Sequence, residues 1–161
     1  MSYKIDMAEF DDVEEMCATQ MAAIEEFGTD DYTDAEINAW TGYINLPHAL
    51  NTLQDDTTEV FAARDENEML IGFCTVKGNQ ITDMYVDPDH GGEGIGSALL
   101  RKAEWHIRKM GSRNIRLLST LNSVGFYECK GFEVVTKQQM SVNEDISLEF
   151  VEMRKRFSGT V

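Results

Sequence analysis

The sequence predicts one α/β (α+β) domain over residues 1–161, in which a mixed, mostly antiparallel sheet of about seven strands is flanked by helices. Three observations support this prediction. The chain has 161 residues, which is enough for one core but not comfortably for two. Its hydrophobic content of 42%, with only two prolines, is typical of globular proteins. Strand-like runs alternate with segments of helical periodicity in the order βααβββαβαββ.

The N-terminal part of the chain is predicted to contain one short strand and two helices. The strand lies in YKIDMA. Asp11 and Glu14 have the spacing of a capping box, which predicts the start of the first helix. Thr33 and Glu36 repeat that spacing and predict a second helix, with Pro47 beyond its end.

The rest of the chain is predicted to supply most of the sheet. TEVFAAR, MLIGFCTV and ITDMYV are strand-like runs, and the short turns DENE and KGNQ between them indicate antiparallel neighbours. A glycine-rich loop then opens a helix from Gly94 to Met110, which Gly111 closes. RNIRLLST is a fifth strand, SVGFYECK is a short helix, and FEVVTKQQMSV and SLEFVEMRKRF are two closing strands.

Composition and charge exclude several classes of function. The net charge is −15, and the acidic side chains are concentrated in the first 90 residues. This balance disfavours nucleic acid; it either attracts a cationic substrate or serves solubility. No run is long and apolar enough for a bilayer, and the N-terminus lacks a signal-peptide pattern. The spacing of the three cysteines, Cys17, Cys74 and Cys129, fits neither a disulfide framework nor a zinc site, and His48 has no metal-ligand spacing with cysteines or acids. We therefore expect a cytoplasmic protein without a metal.

The loop HGGEGIGSALL carries four glycines directly before a helix. In a Walker loop beginning at Gly91, Ser97 stands where the phosphate-binding lysine is required. In a dinucleotide-binding loop beginning at Gly92, Ser97 stands where the third glycine is required. The remaining interpretations are a row of amides that binds a pyrophosphate at a helix N-terminus, or a turn that needs positive φ.

The segments ITDMYVDPDHGGEGIGSALL, IRLLST and SVGFYECKGF together resemble the GNAT superfamily of acetyl-CoA-dependent N-acetyltransferases over residues 81–132. The family pattern is a strand ending in Y/F-V-x-P, a loop [QR]-x-x-G-x-[GA] that opens a long helix, and a later helix with F-Y-x-x-x-G-F. The chain departs from it at three positions. Gly91 replaces the Gln/Arg of the loop, Thr120 replaces a frequent asparagine, and Cys129, next to Lys130, replaces a common lysine.

The resemblance implies that acetyl-CoA is the cosubstrate and lies where the fourth and fifth strands splay apart. It implies that backbone amides within 84–86 face the thioester carbonyl and that the glycine loop holds the pyrophosphate. The residues expected to bind the coenzyme are Met84, Tyr85, Val86, Gly91, Gly92, Glu93, Gly94, Ile95, Gly96, Ser97, Thr120, Ser123 and Phe126.

Two residues are candidates for proton transfer. Tyr127 occupies the position of the family's tyrosine, which implies that it donates a proton to the leaving thiolate; the alternative is a core aromatic. Asp83 is the candidate base for the amine; the alternative is a solvated strand acid. A further set of acids near the end of the first helix either lines the acceptor cleft or forms a solvated face: Glu25, Glu26, Asp30 and Asp31.

The expected reaction is direct transfer of acetyl from acetyl-CoA to a primary amine. The acceptor is a small cationic amine, a peptide N-terminus or a lysine. The alternative function is a non-catalytic acetyl-CoA-binding regulatory module. The absence of the loop Gln/Arg favours this alternative, whereas the presence of Tyr127 disfavours it. Because family members often form dimers, a homodimer is compatible with the resemblance, although no interface can be named from the sequence.

Overall fold

A computed structural model describes residues 3–158, so the ends of the single domain predicted over 1–161 lie outside the described residues. The elements are β1 (Lys4–Met7), α1 (Val13–Phe27), α2 (Asp34–Thr41), α3 (Leu46–Gln54), β2 (Thr58–Arg64), β3 (Leu70–Lys77), β4 (Gln80–Val86), α4 (Ile95–Lys109), β5 (Asn114–Ser119), α5 (Val124–Cys129), β6 (Glu133–Ser141) and β7 (Ser147–Arg156). The strands form one seven-stranded sheet in the order β1-β2-β3-β4-β5-β7-β6, which confirms the predicted fold class.

Three helices precede β2, whereas the sequence analysis predicted two. The capping box of α2 is confirmed, because the Glu36 amide donates to Thr33 Oγ1 at 3.1 Å and the Thr33 amide donates to Glu36 Oε1 at 2.8 Å. The missed helix is α3. Asn45 caps it by accepting the His48 amide at 2.9 Å, and Pro47 lies in its first turn. Proline therefore opens a third helix here and does not mark the end of the second.

The predicted capping box at Asp11 and Glu14 is wrong. A short 3-10 turn over 10–12 precedes α1, and no side chain caps α1 itself. Asp12 instead pairs with Arg64 of β2, at 2.7 Å between carboxylate and guanidinium, and both side chains are buried. Arg64 also bonds Asp6 of β1 at 2.8 Å. The acid at the start of α1 thus joins the helix to the sheet edge.

One seam in the sheet is short. All neighbouring strands are antiparallel except β4 and β5, which are parallel and pair at only two positions. Gln80 pairs with Arg116, and Ile81 pairs with Leu117. Beyond Ile81 the two strands separate, as the family resemblance implies.

A β-bulge lies in β4 directly after this seam. Val76 of β3 pairs with Ile81, but the next residue of β3, Thr75, pairs with Asp83. Thr82 is therefore the extra residue of the bulge. A bulge bends its strand and changes which backbone groups face the neighbour, so it separates β4 from β5 and redirects the amides that follow.

Different helices cover the two faces of the sheet. Phe73 of β3 packs in one cluster with Met16 of α1, whereas the next residue, Cys74, belongs to the cluster around Leu99 and Ile107 of α4. This alternation is the expected pleat of a strand that is buried on both sides. Within residues 3–158, no helix is long and apolar enough to cross a membrane.

Candidate active site

Three adjoining cavities open where β4 and β5 separate. The central cavity, about 350 Å³, is lined by 80–85 of β4 and by 117–120 at the end of β5. The loop-side cavity, about 340 Å³, lies at the start of α4 and at α5. The helix-side cavity, about 290 Å³, lies among α1, α2, α3, β3 and β7. Trp40 lines all three, so they form one connected region of the molecule.

The loop-side cavity brings together residues that are distant in sequence. It is bounded by the end of β4, the first turn of α4 and the segment that runs from β5 into α5. Eight of the predicted coenzyme and catalytic residues line it: Met84, Tyr85, Val86, Gly96, Thr120, Ser123, Phe126 and Tyr127. The other predicted loop residues, 91–95 and 97, line none of the three cavities.

The glycine loop uses left-handed backbone at two positions. Gly92 has φ +79° and Gly94, the N-cap of α4, has φ +82°, conformations that L side chains rarely adopt. The first helical hydrogen bond across the cap runs from the Ala98 amide to the Gly94 carbonyl at 3.0 Å. Three earlier amides therefore have no partner within the helix and can bind an anion: Ile95, Gly96 and Ser97.

Gly96 and Gly91 differ in what they can offer a ligand. A Cβ at Gly96 would meet Phe126 at 3.6 Å and Val86 at 3.9 Å, which are ordinary contacts, so the fold itself does not require glycine there. Because glycine carries only a hydrogen in place of a side chain, the floor of the loop-side cavity stays open at Gly96. Gly91 has φ −62° and donates its amide to the Pro88 carbonyl at 3.1 Å. The predicted amide row therefore excludes Gly91.

His90 and Glu93 form a contact within the glycine loop. His90 Nδ1 lies 3.2 Å from Glu93 Oε2, and both side chains are about one-fifth exposed. The Glu93 side chain is thus engaged within the glycine loop itself. The group that Glu93 can offer to a ligand is therefore its backbone amide.

The amides at the end of β4 face the gap in the sheet. The Asp87 amide donates to the Ile71 carbonyl of β3 at 2.8 Å. Because amides alternate along an antiparallel ladder, those of Met84 and Val86 point away from β3. At Met84 and Val86, β4 is no longer paired with β5. The bulge at Thr82 produces this arrangement, since it shifts the alternation by one residue.

Tyr127 is both a core aromatic and a cavity residue. It is 6% exposed, and its ring packs edge-on against Phe126 and Phe132 at centroid distances of 5.1 and 5.5 Å. It also lines the loop-side and central cavities. Burial raises the pKa of Tyr127 well above its ordinary value, so its hydroxyl keeps its proton at neutral pH.

Asp83 is half-buried and lies on the wall between the helix-side and central cavities. Burial raises the pKa of Asp83 to about 7. Among the described residues that line the three cavities, it carries the only carboxylate. Its position on a cavity wall differs from that of an ordinary solvated strand acid.

The second set of predicted acids is elsewhere. Their side chains are exposed, and they line none of the three cavities: Glu25, Glu26, Asp30 and Asp31. Their placement agrees with the interpretation as a solvated face.

Several cavity residues were not identified from the sequence. The helix-side cavity is lined by Asn45 and His48 of α3, by Gln20 of α1 and by Thr75 of β3. The α3 residues were missed together with their helix, although Asn45 two residues before Pro47 is an N-cap signal. Gln20 and Thr75 carried no such signal, because their position depends on tertiary packing. Within 3–158, no group of three or more His, Cys, Asp or Glu is placed to hold a metal ion.

Comparison with known proteins points to one family. The acetyltransferase (GNAT) domain family matches residues 28–157. The chain is 36% identical over 92 residues to the mycothiol acetyltransferase of Propionibacterium freudenreichii subsp. shermanii, across 50% of this chain and 30% of that protein. It is 39% identical over 57 residues to an uncharacterized N-acetyltransferase of Methanocaldococcus jannaschii, across 34% of this chain and 25% of that protein. The matched part is thus at most 30% of these relatives' length.

Solved structures agree over nearly the whole chain. A GCN5-related N-acetyltransferase from Rhodopseudomonas palustris superimposes with a TM-score of 0.90 at 21% identity, covering 98% of this chain and 97% of that one. The PaiA N-acetyltransferase from Thermoplasma acidophilum, solved in complex with coenzyme A, gives 0.79 at 25% identity, with coverages of 98% and 100%. Since the family matches most of the sequence and the fold agrees, the chain belongs to the acetyltransferase (GNAT) domain family.

Proposed function

We propose that this chain transfers an acetyl group directly from acetyl-CoA to a primary amine, giving an N-acetyl product and free coenzyme A. The observation that carries this proposal is the convergence of three features at one gap in the sheet. These are the outward amides of Met84 and Val86, the open first turn of α4 at Gly96, and the Tyr127 hydroxyl. Family membership supports the same activity.

The residues at the gap fit coenzyme A. The first turn of α4 presents free amides and the positive end of a helix dipole, both of which favour a pyrophosphate. Gly96 leaves room for close approach. The Lys130 ammonium lies 5.6 Å from the ring of Phe126, which lines the loop-side cavity, and so places a positive charge near it. With Gly91 in place of Gln/Arg, backbone groups supply most of the binding.

Acetyl-CoA, when bound, supplies an activated acetyl thioester. The amides of Met84 and Val86 then serve as donors to the oxygen of the reacting carbonyl, which becomes negatively charged in the transition state. A single preorganised donor of this kind typically contributes about 3 kcal/mol of transition-state stabilisation. These donors belong to the backbone, so they are fixed by the bulge at Thr82 and need no particular side chain.

Tyr127 acts on the leaving group of the reaction, the thiolate, and Asp83 acts on the attacking amine. Because Tyr127 keeps its proton, its hydroxyl donates a hydrogen bond to the departing thiolate, which has a pKa of about 8.5 as a free thiol and does not need full proton transfer to leave. Asp83 accepts the proton that the attacking amine loses, and a base with a pKa of about 7 is well matched to neutral pH. The acceptor is a primary amine; a small cationic amine and the amine of a peptide N-terminus or lysine would use the same chemistry.

Two measurements on the purified chain test this proposal. Coenzyme A binding is measured by calorimetry, and acetyl transfer is measured by thiol release with a panel of amines, with mass spectrometry to identify the N-acetyl product. We expect both binding and amine-dependent release. A non-catalytic regulatory module would bind coenzyme A but release no thiol with any amine, and that result would contradict the proposed function.

A further inference from the structure

The helix-side cavity combines a largely apolar wall with a single carboxylate, Asp83. Its wall is formed largely by apolar side chains from five elements: Met16, Trp40, Ala49, Phe73, Leu148 and Phe150. Two of its aromatic rings, Trp40 and Phe150, are packed edge to face at 5.5 Å. Its volume of about 290 Å³ is close to the lower end of the roughly 300–1,000 Å³ found for small-molecule pockets. The cavity therefore suits a small organic molecule with a largely apolar body.

The one carboxylate on the wall of this cavity lies on a strand pair, opposite a threonine. Other polar side chains are spread over α1, α3 and β6, among them Gln20, Asn45, His48 and Ser141. Thr75 and Asp83 are directly opposite each other on β3 and β4, and both line the cavity. Thr75 is 2% exposed. Among the described residues, its Oγ1 is the only buried side-chain nitrogen or oxygen without a hydrogen-bond partner. Such an unpaired group is unfavourable in a folded protein, which points to a ligand atom that completes it.

An ammonium group fits this pair. It donates three hydrogen bonds and accepts none, and it finds a carboxylate at Asp83 and a hydroxyl oxygen at Thr75. Rotation about χ1 exchanges the hydroxyl and the methyl of threonine, so Oγ1 can turn to the cavity. The single negative charge of Asp83 balances one positive charge.

A polycationic acceptor does not fit. The acidic residues that give the chain its net charge of −15 include Glu25, Glu26, Asp30 and Asp31, which are exposed outside the cavities. A second or third ammonium in the helix-side cavity would find no second carboxylate, because the remaining wall consists of apolar side chains and uncharged amide and hydroxyl groups such as Gln20, Asn45 and Ser141. Burial of such an unpaired charge is strongly unfavourable.

We propose that the helix-side cavity binds the acceptor, and that this acceptor is a small primary amine with one positive charge and an apolar, preferably aromatic, body. Its ammonium lies between Asp83 and Thr75, next to the gap where acetyl transfer is proposed, and its body lies among the rings of Trp40, Phe73 and Phe150. This inference rests on the proposed function and names the substrate class for it.

The first test compares amines of different charge and shape. Phenethylamine, ethanolamine and spermidine are measured as acceptors with the wild-type chain. We expect a KM for phenethylamine at least 30-fold below those of the other two. Equal or better use of spermidine or ethanolamine overturns the inference while leaving acetyl transfer itself intact. Calorimetric titration of phenethylamine into the coenzyme A complex tests the cavity independently of turnover.

The second test changes Thr75. Thr75→Val keeps the shape of the side chain and removes the hydroxyl. We expect the KM for phenethylamine to rise about tenfold, and the thermal midpoint not to fall, because the lost hydroxyl has no partner in the fold. Thr75→Ser should restore the wild-type KM. A Thr75→Val chain with an unchanged KM would remove Thr75 from the amine site.

The third test adds charge to the cavity. Met140 of β6 is 47% exposed and lines both the helix-side and central cavities. Met140→Glu supplies a second carboxylate and should lower the KM for spermidine by about tenfold relative to phenethylamine. Val135→Glu is the matched control, since Val135 is 45% exposed on the same strand and lines none of the three cavities. Equal effects of the two substitutions would assign the change to overall charge and overturn the placement of the acceptor.

Discussion

Two single side chains, Asp83 and Tyr127, illustrate how burial can serve opposite chemical roles. Removal from water disfavours the charged form of both groups, so it raises both pKa values. For Asp83 the result is a carboxylate that changes charge near neutral pH and is therefore an effective base. For Tyr127 the result is a hydroxyl that keeps its proton and is therefore available as a hydrogen-bond donor.

Substitution of Asp83 by Asn should lower kcat/KM by roughly 100-fold, the usual contribution of a general base. In the wild type the rate should rise as pH increases through about 7, because only the deprotonated carboxylate accepts a proton. That rise should disappear in Asp83→Asn. The pH profile of thiol release measures it. Asp31→Asn, at an exposed acid outside the cavities, is the control and should leave the profile unchanged.

Substitution of Tyr127 by Phe separates the hydroxyl from the ring. The packing against Phe126 and Phe132 is retained, so the thermal midpoint and the coenzyme A dissociation constant should stay close to wild type. Turnover at saturating substrates should fall by roughly 100-fold if the hydroxyl stabilises the departing thiolate by its hydrogen bond. An unchanged kcat would leave Tyr127 with a structural role alone.

At the scale of elements, the first turn of α4 combines open amides with an open cavity floor. Gly96→Ala tests this combination. The added methyl makes only ordinary contacts, so stability should be unchanged or higher by about 0.5–1 kcal/mol, as for other compatible Gly-to-Ala changes. Coenzyme A affinity should fall at least tenfold. Gly125→Ala in α5 is the matched control: a Cβ there meets nothing within 4 Å, and the residue lines none of the three cavities.

The elements differ in how far their sequence predicts them. β2 to β7 could be located because each strand-like run is bounded by recognisable turns. Most residues of the loop-side cavity could be anticipated because they follow a local pattern over 81–132, whereas those contributed by α1 and α2 could not. The bulge at Thr82 could not be found, since it depends on the pairing with β3. The helix-side cavity was also missed, because residues from α1 to β7 form it only after packing.

At the scale of the whole molecule, the proton held by Asp83 links the site to global stability. An unfolded aspartate has a pKa of about 3.9, whereas folding raises the pKa of Asp83 to about 7. Between these values the folded chain binds more protons than the unfolded chain. The contribution of Asp83 to stability therefore declines as pH rises from about 4 to about 7.

Asp83→Asn should consequently be more stable than the wild type at pH 8, even though it is less active. Each pKa unit corresponds to about 1.4 kcal/mol, which sets an upper limit of about 4 kcal/mol for the gain. At pH 4 the two chains should have similar stability. Denaturant unfolding at both pH values measures the difference, and a variant that is no more stable at pH 8 would contradict a half-buried Asp83 that is charged at this pH.

The short seam between β4 and β5 also has a mechanical consequence. Only two residue pairs join the backbone of β1–β4 to that of the three strands β5, β7 and β6, so the sheet has few backbone hydrogen bonds at this seam. A ligand lying in the gap and bonded to the free amides of β4 would act as an additional strand between the two parts of the sheet. Its binding should therefore slow amide exchange far from the gap, along β6 and β2, as well as at the amides it contacts.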